Sequence, residues 1–212
     1  MKALILVDIQ NDFCPGGALA VTKGDEVVTV ANRLTERFNG LVVATQDWHP
    51  ANHKSFRSNN NVPDSEIVGM LNGVPQVWWP NHCVQGTSGA DFHRNLNMNR
   101  VAAVFRKGMN TQVDSYSGFF DNKAILNGKE TRATTGLANY LSGRGVTSVF
   151  VMGLATDYCV KFTALDSAAL GFTTHLVVDG CRAVNLSPDD GDKAVVEMQA
   201  AGVKVVEARE LL

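Results

Sequence analysis

The chain has 212 residues, of which 45% are hydrophobic and 19% charged, with a formal net charge of −2. It is long and apolar enough to bury one sizeable core, and the balance excludes a disordered chain, a nucleic-acid partner and a polybasic membrane patch. No run approaches the roughly 18 apolar residues of a spanning helix. The cysteines at 14, 83, 159 and 181 form no CxxC pair, as expected in a reducing cytoplasm.

The first apolar run, residues 3–7, reads as a buried strand that ends at Asp8. No small-residue cleavage site follows it, so a leader peptide is not expected. A helical stretch over 25–39 stops at Gly40, and a second strand over 41–45 runs into Asp47-Trp48-His49. Residues 48–100 then connect two strands with little periodicity. They hold histidines 49, 53, 82 and 93 and tryptophans 48, 78 and 79. A connection this long is expected to serve function, here as a wall of the active site.

The third strand, 101–105, leads into Lys107, and a helix over 131–142 stops at Gly143. The fourth strand, 148–152, leads into the stretch 153–159, which ends at Cys159 and opens a helix over 157–170. A strand over 175–178, a helix over 188–201 and a strand over 204–207 complete the chain. The runs are continuous rather than alternating, which predicts a parallel sheet buried on both faces. The expected fold is a doubly wound α/β domain spanning 1–212.

Ligands of such sheets bind outside the carboxyl ends of the strands. Asp8, Asp47 with His49, Lys107 and Cys159 all fall at those ends. Residues i and i+2 at a strand end point the same way, so Asp47 and His49 can converge on one ion, and His82 offers a third ligand. One carboxylate and two imidazoles with open positions is a pattern of catalytic Zn²⁺ or Fe²⁺. His53 and His93 are spare candidates.

Cys159 lies at a helix start, which favours a thiolate by roughly 0.3–1 kcal/mol and at most about 2. Lowering a thiol by two pKa units needs about 2.7 kcal/mol. A cation such as Lys107, or a base such as Asp8, must therefore supply the rest. Read as a packing residue, Cys159 would be a small buried hydrophobe like Cys14, Cys83 and Cys181. GxSxG, GxGxxG, HExxH and a phosphate-binding loop are absent.

Several stretches together resemble a known family: Leu6-Val-Asp8-Ile-Gln-Asn-Asp-Phe13, Gln46-Asp-Trp-His-Pro50 with Ser55-Phe56, Trp79-Pro-Asn-His-Cys83, Phe105-Arg-Lys-Gly108, Asp114-Ser-Tyr-Ser-Gly-Phe119, Gly153-Leu-Ala-Thr-Asp-Tyr-Cys159 and Asp179-Gly-Cys-Arg182. They look like the nicotinamidases and pyrazinamidases, members of the isochorismatase-like cysteine hydrolases, and they run in order over nearly the whole chain. The resemblance implies a six-stranded parallel sheet of order 3-2-1-4-5-6 with helices on both faces. It implies a triad of Asp8, Lys107 and Cys159, and an oxyanion hole from the N–H groups of Ala155 and Cys159 beside a cis peptide before Ala155. It implies one divalent ion (Zn, Fe or Mn) on Asp47, His49 and His82, with His53 as a possible fourth ligand. Phe13, Trp79 and Tyr116 match positions lining the family's ring pocket.

The implied activity is hydrolysis of nicotinamide, and of pyrazinamide, to the acid and ammonia through a Cys159 thioester, in NAD salvage. The expected partner is this small substrate, with the chain acting as a monomer or homo-oligomer. The alternative is a sister hydrolase acting on another small amide or a carbamoyl compound. A non-enzymatic receiver module also has an Asp after its first strand and a later Lys, but it is shorter and lacks G-x-x-T-D-x-C.

Overall fold

The structure is a computed structural model that describes residues 1–63 and 65–212. Strand β1 (Lys2–Val7) and the following helix α1 (Glu26–Arg37) lead to β2 (Leu41–Asp47). A hairpin of β3 (Val68–Leu71) and β4 (Val74–Val77) stands in the long excursion before β5 (Val101–Lys107). A second small hairpin, β6 (Ala124–Leu126) and β7 (Lys129–Thr131), precedes α2 (Leu137–Gly143) and β8 (Ser148–Leu154). A π-helical turn at Thr156–Val160 passes into α3 (Lys161–Ala169). Then come β9 (Thr173–Arg182), α4 (Asp190–Ala200) and β10 (Lys204–Val206).

The main sheet has the order β5-β2-β1-β8-β9-β10, and every adjacent pair is parallel. In main-sheet numbering this is the expected 3-2-1-4-5-6. The direction of winding reverses between β1 and β8, which start the two halves. β1, β2 and β8 are buried along almost their whole length. That is why they read as unbroken apolar runs, and α1 and α3 both pack against β8 and β9.

Three expectations need correction. β5 is an edge strand whose residues alternate between half-buried and exposed, with Val104 42% exposed, so it is not a strand covered on both faces. The helix expected over 131–142 starts only at Leu137. Residues 129–131 pair with β6, and Gly136, at φ 90°, turns the chain into the helix. The helix expected from 157 begins as a π-helical turn, and only from Lys161 does α-helical geometry take over.

Gly153 shows how tightly the two central strands meet. It pairs with Val7 across β1 and β8, and a Cβ built on it would stand 2.1 Å from the Val7 carbonyl oxygen. Its φ of 126° also disfavours any side chain. Gly153→Ala is expected to cost about 3 kcal/mol or more, because backbone rather than a flexible side chain must yield. Urea unfolding measures this, and a loss below about 1 kcal/mol would mean that the strands part readily.

Candidate active site

The site is built at the carboxyl ends of β1, β2, β5 and β8, on both sides of the point where the winding reverses. β1 ends at Asp8, whose φ of 47° turns the chain sharply at a cost of roughly 1–2 kcal/mol for a non-glycine residue. The turn leaves the carboxylate fully buried. Thr45 Oγ donates to Asp8 Oδ1 at 2.6 Å and accepts from the Asp8 N–H at 3.3 Å. One carboxylate oxygen is thus fixed, and the other faces Lys107 Nζ at 3.0 Å.

Lys107 is the centre of the cluster. Its ammonium donates to Asp47 Oδ1 at 2.9 Å, to the Ser115 carbonyl at 2.9 Å and to Cys159 Sγ at 3.4 Å. Burial disfavours this charge by several kcal/mol. Each of two carboxylates at contact distance returns about 4 kcal/mol or more at an effective dielectric near 20. The carboxylates win. Against the pull of burial, Asp47, Asp8 and the Cys159 sulfur hold the Lys107 pKa well above its ordinary value.

The two acids divide. Asp47 is held well below the usual carboxylate range, because His49 and Lys107 outweigh its burial. For Asp8 burial dominates and Asp47 adds to it, so its carboxyl is raised despite Lys107. Burial likewise pushes the Cys159 thiol well up, with Lys107 opposing and both carboxylates reinforcing. The resting arrangement is therefore a thiol beside a carboxylate of raised basicity, with a permanent cation between them. The helix start and the cation together do not make a resting thiolate.

The second half of the site joins β2 to the excursion. The His49 N–H donates to the Cys83 carbonyl at 3.0 Å, and the Gln85 N–H donates to the His49 carbonyl at 2.9 Å. This pairing brings the D-W-H stretch against W-P-N-H. Asp47 Oδ2 then lies 3.1 Å from His49 Nε2 and 3.5 Å from His82 Nε2. Each imidazole turns its Nδ1 to a carbonyl, Gly108 for His49 at 2.9 Å and Pro80 for His82 at 2.8 Å. A carbonyl can only accept, so both Nδ1 atoms carry a proton and both Nε2 atoms are turned to Asp47, where each can offer a lone pair once its ring is neutral. Ligand atoms about 2.0–2.2 Å from a common ion stand about 3–3.6 Å apart, so the donor set fits one divalent ion.

His53 is placed differently. Its Nδ1 accepts from the Ser55 N–H at 3.2 Å and lies 2.8 Å from Ser55 Oγ, while Nε2 faces the Val113 carbonyl at 3.2 Å. Its only lone pair is spoken for, and burial and His49 push its pKa down to about 4. The ring packs on His49 with centroids 4.4 Å apart, and with His49 and Asp114 it forms a second cluster of possible ligand atoms. His93 stands apart from both clusters, with its Nδ1 accepting from the Asn95 N–H.

A narrow cavity opens onto Cys159 and His82. Phe13, Trp79 and Tyr116 line it, with Leu19, Tyr158, Asp114, Ala155 and Val184. Trp79 Nε1 donates to the Tyr116 hydroxyl at 3.1 Å, and Tyr158 packs edge-on to Trp79 at 4.9 Å. Trp48 lies elsewhere, under the Arg106 guanidinium. Asp114 and Tyr158 sit in motifs already quoted, whereas nothing in the sequence marks Leu19 or Val184. The peptide between Leu154 and Ala155 is cis, immediately before the turn that carries Cys159.

A family model described as the isochorismatase domain matches residues 2–210. The chain is 52% identical over 204 residues to a nicotinamidase of Escherichia coli K12, covering 95% of this chain and 92% of that one. Among solved structures, a nicotinamidase-pyrazinamidase of Acinetobacter baumanii superposes with a TM-score of 0.91 at 41% identity, covering 100% of this chain and 98% of that one. A pyrazinamidase of Pyrococcus horikoshii, solved in complex with zinc, superposes with a TM-score of 0.76 at 37% identity, covering 97% and 98%.

Gly108 ties the two halves of the site together. Its carbonyl holds His49, its φ is 66°, and a Cβ there would stand 2.4 Å from His49 Cε1. Gly108→Ala should push the imidazole off Asp47 and weaken divalent-metal binding by more than about tenfold. Chelator competition reads this directly, and an affinity within about twofold of wild type would show that His49 tolerates the shift.

Proposed function

The chain belongs to the isochorismatase family, and from that premise we infer that it hydrolyses nicotinamide to nicotinate and ammonia, an amidohydrolase reaction of NAD salvage. The observation that carries the catalytic assignment is the single ammonium, Lys107, touching Asp8, Asp47 and Cys159 at once. In this reading residues 1–212 form one catalytic domain, and pyrazinamide, the substrate named for two of the similar proteins, is accepted as well.

Cys159 is the nucleophile and Asp8 the base. Asp8 takes the thiol proton, and its raised basicity supports that role. The sulfur forms a bond to the carboxamide carbon, and the carbonyl electron pair moves onto oxygen. The N–H groups of Ala155 and Cys159 receive that oxyanion, a contribution worth about 2.7–4 kcal/mol where one such donor has been removed elsewhere. The C–N bond then breaks, Asp8 returns its proton to the departing nitrogen, and ammonia leaves a thioester. Water, giving its proton to Asp8, hydrolyses the thioester and the thiol is restored. Lys107 remains protonated throughout and balances the negative charge as it passes from Asp8 to sulfur and back.

Asp47, His49 and His82 hold the divalent ion, and zinc is the metal this reading favours. Bound there, the ion supplies Lewis-acid polarisation and a template at one end of the pocket. His53 supports the ring of His49 and serves as a ligand only if Ser55 releases its Nδ1. Phe13, Trp79 and Tyr116 hold the flat pyridine ring.

All four cysteines are free and buried, and no described helix is long and apolar enough to cross a membrane. The free thiols support a reducing, cytoplasmic setting.

Cys159→Ala is expected to leave folding and metal content unchanged and to reduce ammonia release from nicotinamide by at least about 10³-fold, about 4 kcal/mol. Rapid quenching of the wild type during turnover should give a mass increase on the Cys159 peptide equal to the acyl group. Activity of the variant above a few per cent, with no such adduct in the wild type, would remove Cys159 from this role.

A further inference from the structure

We propose that Gln10 is a positioning residue for the metal site, and that its side-chain amide, by gripping the main chain of Asp47 on both polar groups, sets the affinity for the divalent ion. The proposal rests on the metal reading of Asp47, His49 and His82.

β1 and β2 pair in register only as far as Leu6 and Ala44. Beyond that point β1 has turned away through Asp8, while β2 continues to Asp47. On the other side, β5 still accompanies β2, with Asp47 opposite Lys107. Without a substitute the Asp47 main chain would lack a partner on its β1 side, and buried peptide groups left unpaired are costly.

Gln10 is that substitute. Its Nε2 donates to the Asp47 carbonyl at 2.8 Å, and its Oε1 accepts from the Asp47 N–H at 2.8 Å. One side-chain amide thus plays the part of a neighbouring strand's peptide. The second Nε2 proton goes to the Ala90 carbonyl at 2.8 Å, which also accepts from Gln46 at 3.0 Å. Every polar atom of the amide is used, and the side chain is fully buried. The grip joins the Asp8 turn, the strand end that carries Asp47 and the far end of the excursion.

Its consequence lies at the carboxylate. Among the described residues, no donor outside the site touches the Asp47 side chain, because Oδ1 meets Lys107 and Oδ2 faces the two imidazoles. The direction of that carboxylate is therefore set by where its backbone is held. Outer partners of metal ligands typically contribute 10–100-fold in affinity. Gln10 would act here through the main chain rather than through the ligand atom.

The test is zinc affinity of the chelator-stripped protein, read by competition with a chromophoric chelator. Gln10→Met keeps length and bulk without hydrogen bonds, and Gln10→Glu keeps the acceptor but, even protonated, can donate to only one of the Asp47 and Ala90 carbonyls. Both should raise the zinc dissociation constant by about 10–100-fold. Asn32→Leu removes a comparable amide grip, on the Asn95 carbonyl and the Asn97 N–H, and should leave the constant within about twofold. Addition of saturating zinc should restore much of kcat in both Gln10 variants. Zinc affinity within threefold of wild type in folded Gln10→Met overturns the proposal. So does failure of both variants to fold, which would make Gln10 a residue of the fold at large. Absence of stoichiometric zinc binding by the wild type would instead remove the metal reading beneath it.

Discussion

A buried ammonium surrounded by two carboxylates and a thiol is the constraint on which the rest of the site depends. Lys107 cannot stay charged in the interior unless Asp8 and Asp47 are brought to it, and neither acid can be buried without it. The three residues come from the ends of β5, β1 and β2, so the charge cluster also clamps the strands at the point where the sheet's winding reverses. Burial, with the Asp47 charge added to it, leaves Asp8 with raised basicity despite Lys107, whereas the His49 and Lys107 neighbours of Asp47 outweigh its burial.

The same economy governs Cys159. A helix start and a cation favour a thiolate, but complete burial and two nearby carboxylates outweigh them. The thiol is kept protonated next to the group able to take its proton. In the proposed mechanism nucleophile and base are therefore one unit, and ionisation belongs to the reaction rather than to the resting protein. Attack by sulfur would then transfer charge within the cluster without changing its total, which suits a cavity lined by Phe13, Trp79, Tyr116 and Tyr158.

Around this cluster, main-chain carbonyls do much of the orienting. Gly108 and Pro80 fix the tautomers of His49 and His82. His53 shows the opposite case. Its lone pair is directed at Ser55, so its ring packs on His49 and its nitrogens are engaged elsewhere. Local partners, rather than residue type, separate the histidines whose Nε2 is turned to a carboxylate from the one whose two ring nitrogens are already engaged.

The parallel sheet was legible in the chain because strands buried on both faces must be continuously apolar, and Gly171 and Gly202 marked where two helices stop; the strand order came from the motif resemblance. Asp8, Asp47 and Lys107 were legible because each lies at the end of an apolar run, and Cys159 because it lies in the helical turn, five residues after β8; the motif resemblance added His82, Phe13, Trp79 and Tyr116. The sequence could not show that β5 lies at an edge, since exposure of Val104 depends on which strand has no neighbour. Nor could it show the π-helical start before α3, or the strand pairing that displaced the beginning of α2. Leu19 and Val184 reach the pocket from loops without a periodic signature, and the resting protonation of the thiol follows from distances among groups far apart in the chain. Residue types along one strand carry the local pattern, whereas lone-pair directions, edge positions and charge sums exist only once separate segments meet.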